Sequence, residues 1–183
     1  KRSAEDVTDI ISGIPGSEMK LSVLRPGETI EKPYTIIRGG MDGKNVPYSG
    51  LVEPGIGYIS LTTFTRDAGR NVADALRDLK TDHPDLKGVI LDLRGNGGGL
   101  LREAINVCNV FIPANETVVT TRSKVVEADQ EYKTRSEPVD TTIGLVLLID
   151  ENSASASEIV SGVMQDLDRG VIIGQLSYGK GLV

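Results

Sequence analysis

Residues 89–99 read Val-Ile-Leu-Asp-Leu-Arg-Gly-Asn-Gly-Gly-Gly, a nearly continuous apolar run that ends in a glycine-rich segment. Such an apolar run is typical of a strand that is buried on both faces of a sheet. Residues 95–99 hold four glycines in five positions, more than a tight turn requires, although a purely structural turn remains an alternative. Glycines let a backbone approach a ligand closely and direct its N–H groups toward it. The stretch therefore predicts a strand whose carboxyl end carries a loop able to hold a phosphate or an oxyanion.

The segments on either side of this stretch alternate between strand and helix patterns. Apolar runs or alternation predict strands at 57–61, 118–121, 144–149 and 171–174. Apolar residues at helical spacing predict helices at 67–80, 100–109 and 156–166. Residues 127–140 are polar, and we expect them to be mobile. This order predicts an α/β fold in which helices pack on a sheet.

The first 40 residues predict a small separate unit. Their pattern favours a helix at 4–11 and strands at 19–24 and 34–37, too little to form a stable core alone. Residues 38–50 are rich in Gly, Pro, Asn and Asp, which is typical of a linker. We therefore predict a partial domain at 1–40 and a larger core at 41–183.

Composition excludes several classes of function. The chain has 26 acidic and 20 basic side chains and a net charge of −6, with no basic cluster, so nucleic acid is not an expected partner. The longest apolar runs are far too short to span a bilayer, and no secretory signal is visible at 1–20. The single cysteine, Cys108, lies in an apolar helical pattern and is predicted to be a buried core residue. A single cysteine cannot form an internal disulfide. Because the chain also has only one histidine, a metal site is not expected.

A second unusual segment, Asp-Glu-Asn-Ser-Ala-Ser-Ala-Ser-Glu at 150–158, lies between a predicted buried strand and a helix. Ser155 and Glu158 have the spacing of a capping box, so a helix cap is one interpretation. The other is an exposed hydroxyl at a helix N-terminus, where N–H groups can stabilise negative charge. The nucleophile elbow of the α/β-hydrolases is not present, because Ser153 and Ser157 stand where glycines are required.

The third segment contains Gly174 and then Gly179, Lys180 and Gly181. It partly imitates a phosphate-binding loop, but Gly181 stands where that motif needs Ser or Thr for magnesium. The alternative is that Lys180 lies in a partly apolar pocket beside Leu182. Desolvation there would favour a neutral amine that can act as a base.

The choice of base decides between these interpretations. A serine nucleophile needs a partner that accepts its proton. His83 precedes Pro84 in a polar connection and is predicted to be a solvated loop residue. Arginine cannot lose its proton, so lysine is the remaining candidate, as in known Ser-Lys variants of the catalytic triad. The glycine segment also fails the dinucleotide-binding pattern, because Leu100 stands where the third glycine should be.

Taken together, three motifs resemble the carboxy-terminal processing peptidases, also called tail-specific proteases. The motifs are Asp-Leu-Arg-Gly-Asn-Gly-Gly-Gly at 92–99, Ser-Ala-Ser-Ala-Ser-Glu at 153–158 and Tyr-Gly-Lys-Gly at 178–181. Ser155 and Lys180 are 180 − 155 = 25 positions apart, as in that family. Each motif alone is modest, but the combination and its order are specific, and the resemblance covers residues 46–183.

The resemblance implies a crotonase-like α/β peptidase core. It implies Ser155 as nucleophile, Lys180 as general base, and an oxyanion hole made by the N–H groups of Gly99 and Ala156. The implied activity is cleavage of proteins near their C-termini, without metal or cofactor and outside the cytoplasm, in the periplasm or cell envelope. The implied partners are protein or peptide substrates held through their C-termini, membrane-associated substrates among them.

The resemblance also gives residues 1–40 an interpretation, as the C-terminal half of a PDZ domain. It places a glutamine that positions the lysine at residue 184, so we expect the core to be truncated at its C-terminal end. Two rival functions remain at this point. One is a catalytically silent peptide-binding protein of the same fold, and the other is a crotonase-type enzyme that acts on acyl thioesters of coenzyme A.

Overall fold

Two neighbouring parallel strands, β5 (Gly88–Asp92) and β8 (Gly144–Ile149), form the centre of the larger of two units. The structure is a computed structural model that describes residues 11, 14, 16–27, 29–39, 44–122 and 129–182. The two units comprise Lys1–Gly43 and Lys44–Val183. The predicted α/β class is confirmed in the larger unit, where helices alternate with the strands of one mixed sheet.

This sheet has five strands in the order β3-β4-β5-β8-β9. Strands β4 (Ile56–Ser60), β5, β8 and β9 (Val171–Gly174) are parallel, and β3 (Tyr48–Glu53) pairs antiparallel with β4 at one edge. The linker prediction for 38–50 is therefore wrong at its end, because residues 48–50 belong to β3. Its Gly and Ser and its exposed positions hide the alternation that would have identified this edge strand.

Three helices lie in the connections of this sheet. They are α1 (Ala68–Asp82), α2 (Leu101–Phe111) and α3 (Ala156–Asp166), and the sequence predicted all three to within two residues at each end. Each helix buries one apolar face in a single continuous core that also includes the side chains of β4, β5 and β8. Leu76, Phe111 and Met164, one from each helix, are fully buried in it. Packing of these faces against the core holds each helix in place relative to the sheet.

A separate antiparallel pair, β6 (Thr117–Thr121) and β7 (Gln130–Lys133), follows α2. The expectation that residues 127–140 are mobile is wrong for β7, which is a paired strand. Its side chains are mostly exposed on a two-stranded sheet, so no apolar pattern marked it in the sequence.

In the first unit, β1 (Glu18–Val23) and β2 (Lys32–Ile37) form an antiparallel pair in which Glu18 lies opposite Ile37. Both strands were predicted from the sequence. The predicted helix at 4–11 falls almost entirely outside the described residues. Among the residues that the structure describes, no helix has the length and apolar character needed to cross a membrane.

Candidate functional site

The three segments that the sequence singled out begin at the same edge of the sheet. Because β5, β8 and β9 are parallel neighbours, their carboxyl ends lie side by side. The Leu93 N–H donates a hydrogen bond to the Leu148 carbonyl at 2.9 Å, and the Gln175 N–H donates to the Ile149 carbonyl at 3.2 Å. The topology therefore brings the three segments together, although they are far apart in the sequence.

The glycine loop, residues 95–99, needs glycine at two positions for steric reasons. Gly98 has φ 99° and Gly99 has φ 146°, both in the region that side chains disfavour. A Cβ atom on Gly98 would lie 2.7 Å from the Ala154 carbonyl oxygen and 2.8 Å from Ser155 Cβ, and one on Gly99 would lie 2.6 Å from the Phe64 carbonyl oxygen. The glycines thus let the loop pack directly against Ser155.

Asn96, which is fully buried, holds the glycine loop in place. Its side-chain amide donates to the Leu61 carbonyl at 2.8 Å, and its side-chain oxygen accepts from the Gly98 N–H at 2.9 Å. Its backbone carbonyl accepts from the Ala154 N–H at 3.1 Å and from the Ser157 hydroxyl at 2.8 Å. One asparagine therefore connects β4, the glycine loop and the start of α3.

The serine turn, residues 150–155, ends in a strained residue. Ser155 is the N-cap of α3 and has φ 56° and ψ −110°, outside the regions that a non-glycine residue normally adopts. Ser153, also fully buried, donates its hydroxyl to the Leu93 carbonyl at 2.8 Å and ties the turn to the end of β5. Strain of this kind persists only where surrounding interactions enforce it, and it is concentrated at functional sites.

Glu158 connects the serine turn to the lysine segment. Its Oε2 accepts hydrogen bonds from the Ser155 N–H at 2.8 Å and from the Lys180 N–H at 3.1 Å. Its Oε1 accepts from the Gly179 N–H at 2.6 Å and from the Ser177 hydroxyl at 2.8 Å. One carboxylate thus fixes the backbones of both proposed catalytic residues.

These hydrogen bonds also set the charge of Glu158. Partial burial by itself would raise the pKa of its carboxyl group, but the bonds from Ser177, Ser155, Gly179 and Lys180 outweigh burial and hold that pKa below its usual value of 4.5. Glu158 is therefore an anion at neutral pH. The sequence identified Glu158 only as one half of a capping box, which the structure contains. Its bonds to residues 177–180 could not be predicted from local spacing.

The side chains of Ser155 and Lys180 are not hydrogen-bonded to each other among the residues that the structure describes, and Glu158 supplies the connection. Ser155 is partly buried and Lys180 is exposed. The expectation of a partly apolar pocket around Lys180 is wrong for the described residues, because the segment after β9 runs along the surface and Leu182 is 76% exposed.

Two N–H groups at the junction of the glycine loop and the serine turn are without an acceptor. Within 44–122 and 129–182, neither the Gly99 N–H nor the Ala156 N–H donates a hydrogen bond to a described residue. Ala156 is the first residue of α3, where the helix presents its positive end. Neither group therefore has a hydrogen-bond partner among the described residues.

A buried carboxylate, for which the sequence predicted no role, lies just before the glycine loop. Asp92, at the end of β5, accepts from the Tyr58 hydroxyl at 2.6 Å and from two nitrogens of Arg94, the shorter contact being 2.6 Å. Burial would raise the pKa of the Asp92 carboxyl, but the hydrogen bonds from Arg94 and Tyr58 lower it below its ordinary value. The ionised Asp92 therefore holds the side chain of Arg94, the second residue after β5, folded back against the end of that strand.

A cavity of about 580 Å³ lies next to the site. It is lined on one side by Ser155, Glu158 and Gly179, and on the other by residues 119–122, which include the end of β6. The cavity gives Ser155 a space in which a polypeptide could lie.

The other reactive side chains lie elsewhere. His83 is the C-cap of α1, at the opposite end of β5 from the glycine loop, and so cannot serve Ser155 as a base. Cys108 is fully buried as predicted, and burial raises the pKa of its thiol. Within the described residues, no group of three or more His, Cys, Asp and Glu side chains could hold a metal ion.

Comparison with known proteins shows the family of the chain. The model of peptidase family S41 matches residues 55–183, which include the glycine loop, the serine turn and the lysine segment. The chain belongs to peptidase family S41. The chain is also similar, over nearly its whole length, to two proteases that are named for processing carboxy-termini.

A carboxy-terminal-processing protease of Bartonella bacilliformis is 36% identical over 186 residues, covering 100% of this chain and 42% of that protein. A carboxyl-terminal-processing protease of Synechocystis is 32% identical, covering 99% of this chain and 42% of that protein. Among solved structures, the photosystem II D1 C-terminal processing protease superimposes with a TM-score of 0.68 at 25% identity, covering 98% of this chain and 49% of that one. The chain thus spans less than half the length of these relatives.

Proposed function

We propose that this chain carries the catalytic centre of a serine endopeptidase that cleaves polypeptides near their C-termini. Ser155 is the nucleophile and Lys180 the general base. The observation that carries the proposal is the Glu158 carboxylate, which accepts hydrogen bonds from the backbones of both residues. The type of reaction comes from the names of two relatives, which describe them as carboxy-terminal-processing proteases.

In this mechanism a neutral Lys180 amine removes the proton of the Ser155 hydroxyl as its oxygen attacks the carbonyl carbon of the substrate. The resulting oxyanion accepts hydrogen bonds from the Gly99 and Ala156 N–H groups, which are otherwise free among the described residues. The Lys180 ammonium then gives its proton to the leaving amine, and an acyl-enzyme remains. Water, deprotonated by the same amine, attacks the ester and releases the new C-terminus.

The strain at Ser155 and the freedom of Lys180 fit this sequence of steps. A positive φ at Ser155 projects its side chain from the start of α3 beside the glycine loop. Lys180 is anchored by its backbone while its exposed side chain can move. Because Glu158 Oε2 binds the backbone N–H groups of both residues, we propose that rotation of the Lys180 side chain brings its amine to the hydroxyl, and that polypeptide bound in the adjacent cavity excludes water from it.

We further infer a crotonase-like peptidase core and, in the first unit, the C-terminal half of a PDZ domain. The parallel strands with helices in their connections support the first, and the β1–β2 pair supports the second. A PDZ domain binds C-termini by adding the peptide as a strand, which suits a peptidase that acts there. The same resemblance leads us to propose an extracytoplasmic location, with membrane-associated proteins among the substrates.

Three variants of the full-length protein test the catalytic pair: Ser155→Ala, Lys180→Ala and Lys180→Arg. Each should lower kcat for a substrate with an unstructured C-terminal tail by at least about 10³-fold, as loss of a nucleophile or base does. Lys180→Arg keeps the charge but cannot lose its proton, so it separates a base from a simple cation. Mass spectrometry of the products gives the rate and the cleaved bond.

Lys87→Ala, which removes an exposed lysine at the far end of β5, is the control and should retain full activity. Undiminished turnover by Lys180→Ala would exclude the dyad. A fluorophosphonate probe should label Ser155 of the wild-type protein, and failure to do so would favour a catalytically silent binding protein. A thermal shift with coenzyme A would instead favour an acyl-thioester enzyme.

A further inference from the structure

A second surface cavity, of about 520 Å³, lies along α2 beside β7. We call it the α2 groove. It is formed mainly by Leu101, Arg102, Ile105, Tyr132, Lys133 and Arg135. Residues of α2, the end of β7 and the segment that follows β7 supply its apolar surface and its charge together. Its volume is within the range of many ligand pockets, about 300 to 1,000 Å³.

The lining of the α2 groove differs in charge from the chain as a whole. Every charged residue that lines it is a cation, although the chain as a whole has a net charge of −6. Among the described residues, Arg102 and Arg135 form no ion pair, while Lys133 lies 3.3 Å from Glu131. Arg102 and Arg135 are both exposed. A concave surface that is lined by cations attracts an anionic partner and repels a cationic one.

The α2 groove adjoins the candidate catalytic site at two points. Leu101 follows Gly99 by two residues, so their Cα atoms are no more than about 8 Å apart. The β6–β7 pair lies between the two cavities, because residues 119–122 line the cavity at Ser155 and Tyr132 and Lys133 line the groove. A polypeptide that is held at Ser155 can therefore reach the groove.

The chemistry of the lining selects one kind of occupant. Arginine binds carboxylates through two parallel hydrogen bonds, which favours Asp, Glu or a free C-terminus. Leu101, Ile105 and Tyr132 provide apolar surface between the cations, which suits aliphatic side chains better than a sugar-phosphate backbone. An extended peptide in which acidic and aliphatic residues alternate satisfies both features.

We propose that the α2 groove is a substrate-binding exosite that holds an acidic stretch of the polypeptide outside the bond that is cleaved. This rests on the proposed peptidase function, which it deepens by assigning a charge preference to the substrate. Arg102 and Arg135 provide the specificity, and the apolar residues between them provide the contact area. Neither arginine takes part in the chemistry at Ser155.

Two peptides of equal length, with the same cleavable C-terminal end, test the exosite on the full-length protein. One contains Asp-Leu-Glu-Leu-Asp and the other Asn-Leu-Gln-Leu-Asn upstream of that end. We expect KM for the acidic peptide to be about tenfold lower at equal kcat, the effect of two modest charge-assisted contacts. The double variant R102Q/R135Q should remove this difference, and raising the salt concentration should reduce it.

The matched control is K44Q/K87Q, which removes two exposed charges outside the α2 groove and should keep the tenfold preference. Thermal unfolding of both double variants serves to check that they are folded. Equal KM values for the two peptides, or a preference that persists in R102Q/R135Q, would overturn the exosite. Cleavage of the neutral peptide reports separately on the peptidase function.

Binding to the Ser155→Ala protein, measured by fluorescence anisotropy, keeps the two proposals distinguishable. If neither peptide is cleaved by the wild-type protein, the peptidase function fails, and a tenfold tighter binding of the acidic peptide still supports the groove. A single-stranded DNA of eight nucleotides provides the competing macromolecule. Tighter binding of that DNA than of the acidic peptide would contradict the assignment to a peptide.

Discussion

The glycine loop and the serine turn both connect a strand to a helix through an unusual backbone conformation, but they maintain that conformation in different ways. Both lead from a buried parallel strand toward a helix, and both depart from ordinary backbone conformations. The glycine loop reaches its shape because Gly98 and Gly99 have no side chains that would collide with it. The serine turn must keep a side chain at Ser155, so its strain is held by Ser153 and Glu158 instead. Hydrogen bonds of Asn96 hold the glycine loop as well, but its close packing requires that Gly98 and Gly99 have no side chains, whereas the serine turn keeps a side chain at its strained residue.

The largest effect is expected when a side chain is added to the glycine loop. Gly98→Ala combines a positive φ with a Cβ atom 2.7 Å from the Ala154 carbonyl oxygen, so the serine turn must move. We expect the free energy of unfolding to fall by about 3 kcal/mol and cleavage to be lost. Urea denaturation and the peptide assay measure the two effects.

Gly97→Ala is the matched control for this change. Gly97 is exposed, its φ is not positive, and a Cβ atom there would have no neighbour within 4 Å. We expect its stability to stay within about 0.5 kcal/mol of the wild type. If both alanine variants behaved alike, the glycines would not be required by close packing.

A smaller effect is expected when the bonds that hold the serine turn are weakened at Glu158. Glu158→Gln keeps the shape but removes the negative charge that accepts N–H bonds from Ser155 and Lys180. We expect kcat to fall about 100-fold with little change in KM, because misplacement of reacting groups has an effect of that size. Glu151→Gln, an exposed acid in the same turn, should leave kcat unchanged.

The effect of Glu158→Gln on stability should depend on pH, which would not be so if the side chain only filled space. Because the folded protein lowers the pKa of Glu158 below 4.5, the stabilisation is fully present above pH 4.5. It is lost as the pH falls from 4.5 through the lowered pKa. The difference in Tm between the wild type and Glu158→Gln should therefore shrink below pH 4.5, and a constant difference would contradict the ionic role.

The smallest effect is expected where the two segments share a single hydroxyl. Ser157→Ala removes the bond of a buried hydroxyl to the Asn96 carbonyl, which still accepts from the Ala154 N–H. We expect a loss of about 1 kcal/mol in the free energy of unfolding. Ser161→Ala, which removes only a 3.3 Å bond within α3, is the control and should have less effect.

The sequence predicted most of the fold because the buried elements carry strong patterns. The apolar run of β5 and the helical spacing of α1 and α2 were sufficient to place them. The two strands that were missed, β3 and β7, have mostly exposed side chains and therefore no apolar alternation. Their pairing depends on partner strands, which local composition does not encode.

The candidate site, like the fold, was predicted from the sequence only in part. The residue types and spacing made Ser155, Lys180 and the glycine loop candidates, and the resemblance of the three motifs to a peptidase family turned them into a predicted catalytic centre. Only the tertiary structure revealed that Glu158 joins the two segments, since its partners at 177–180 lie about twenty positions away and meet it across the sheet edge. The α2 groove likewise exists only when α2 and β7 lie side by side. Local patterns report burial and backbone preference, whereas hydrogen bonds between distant segments arise from the parallel order of β5, β8 and β9.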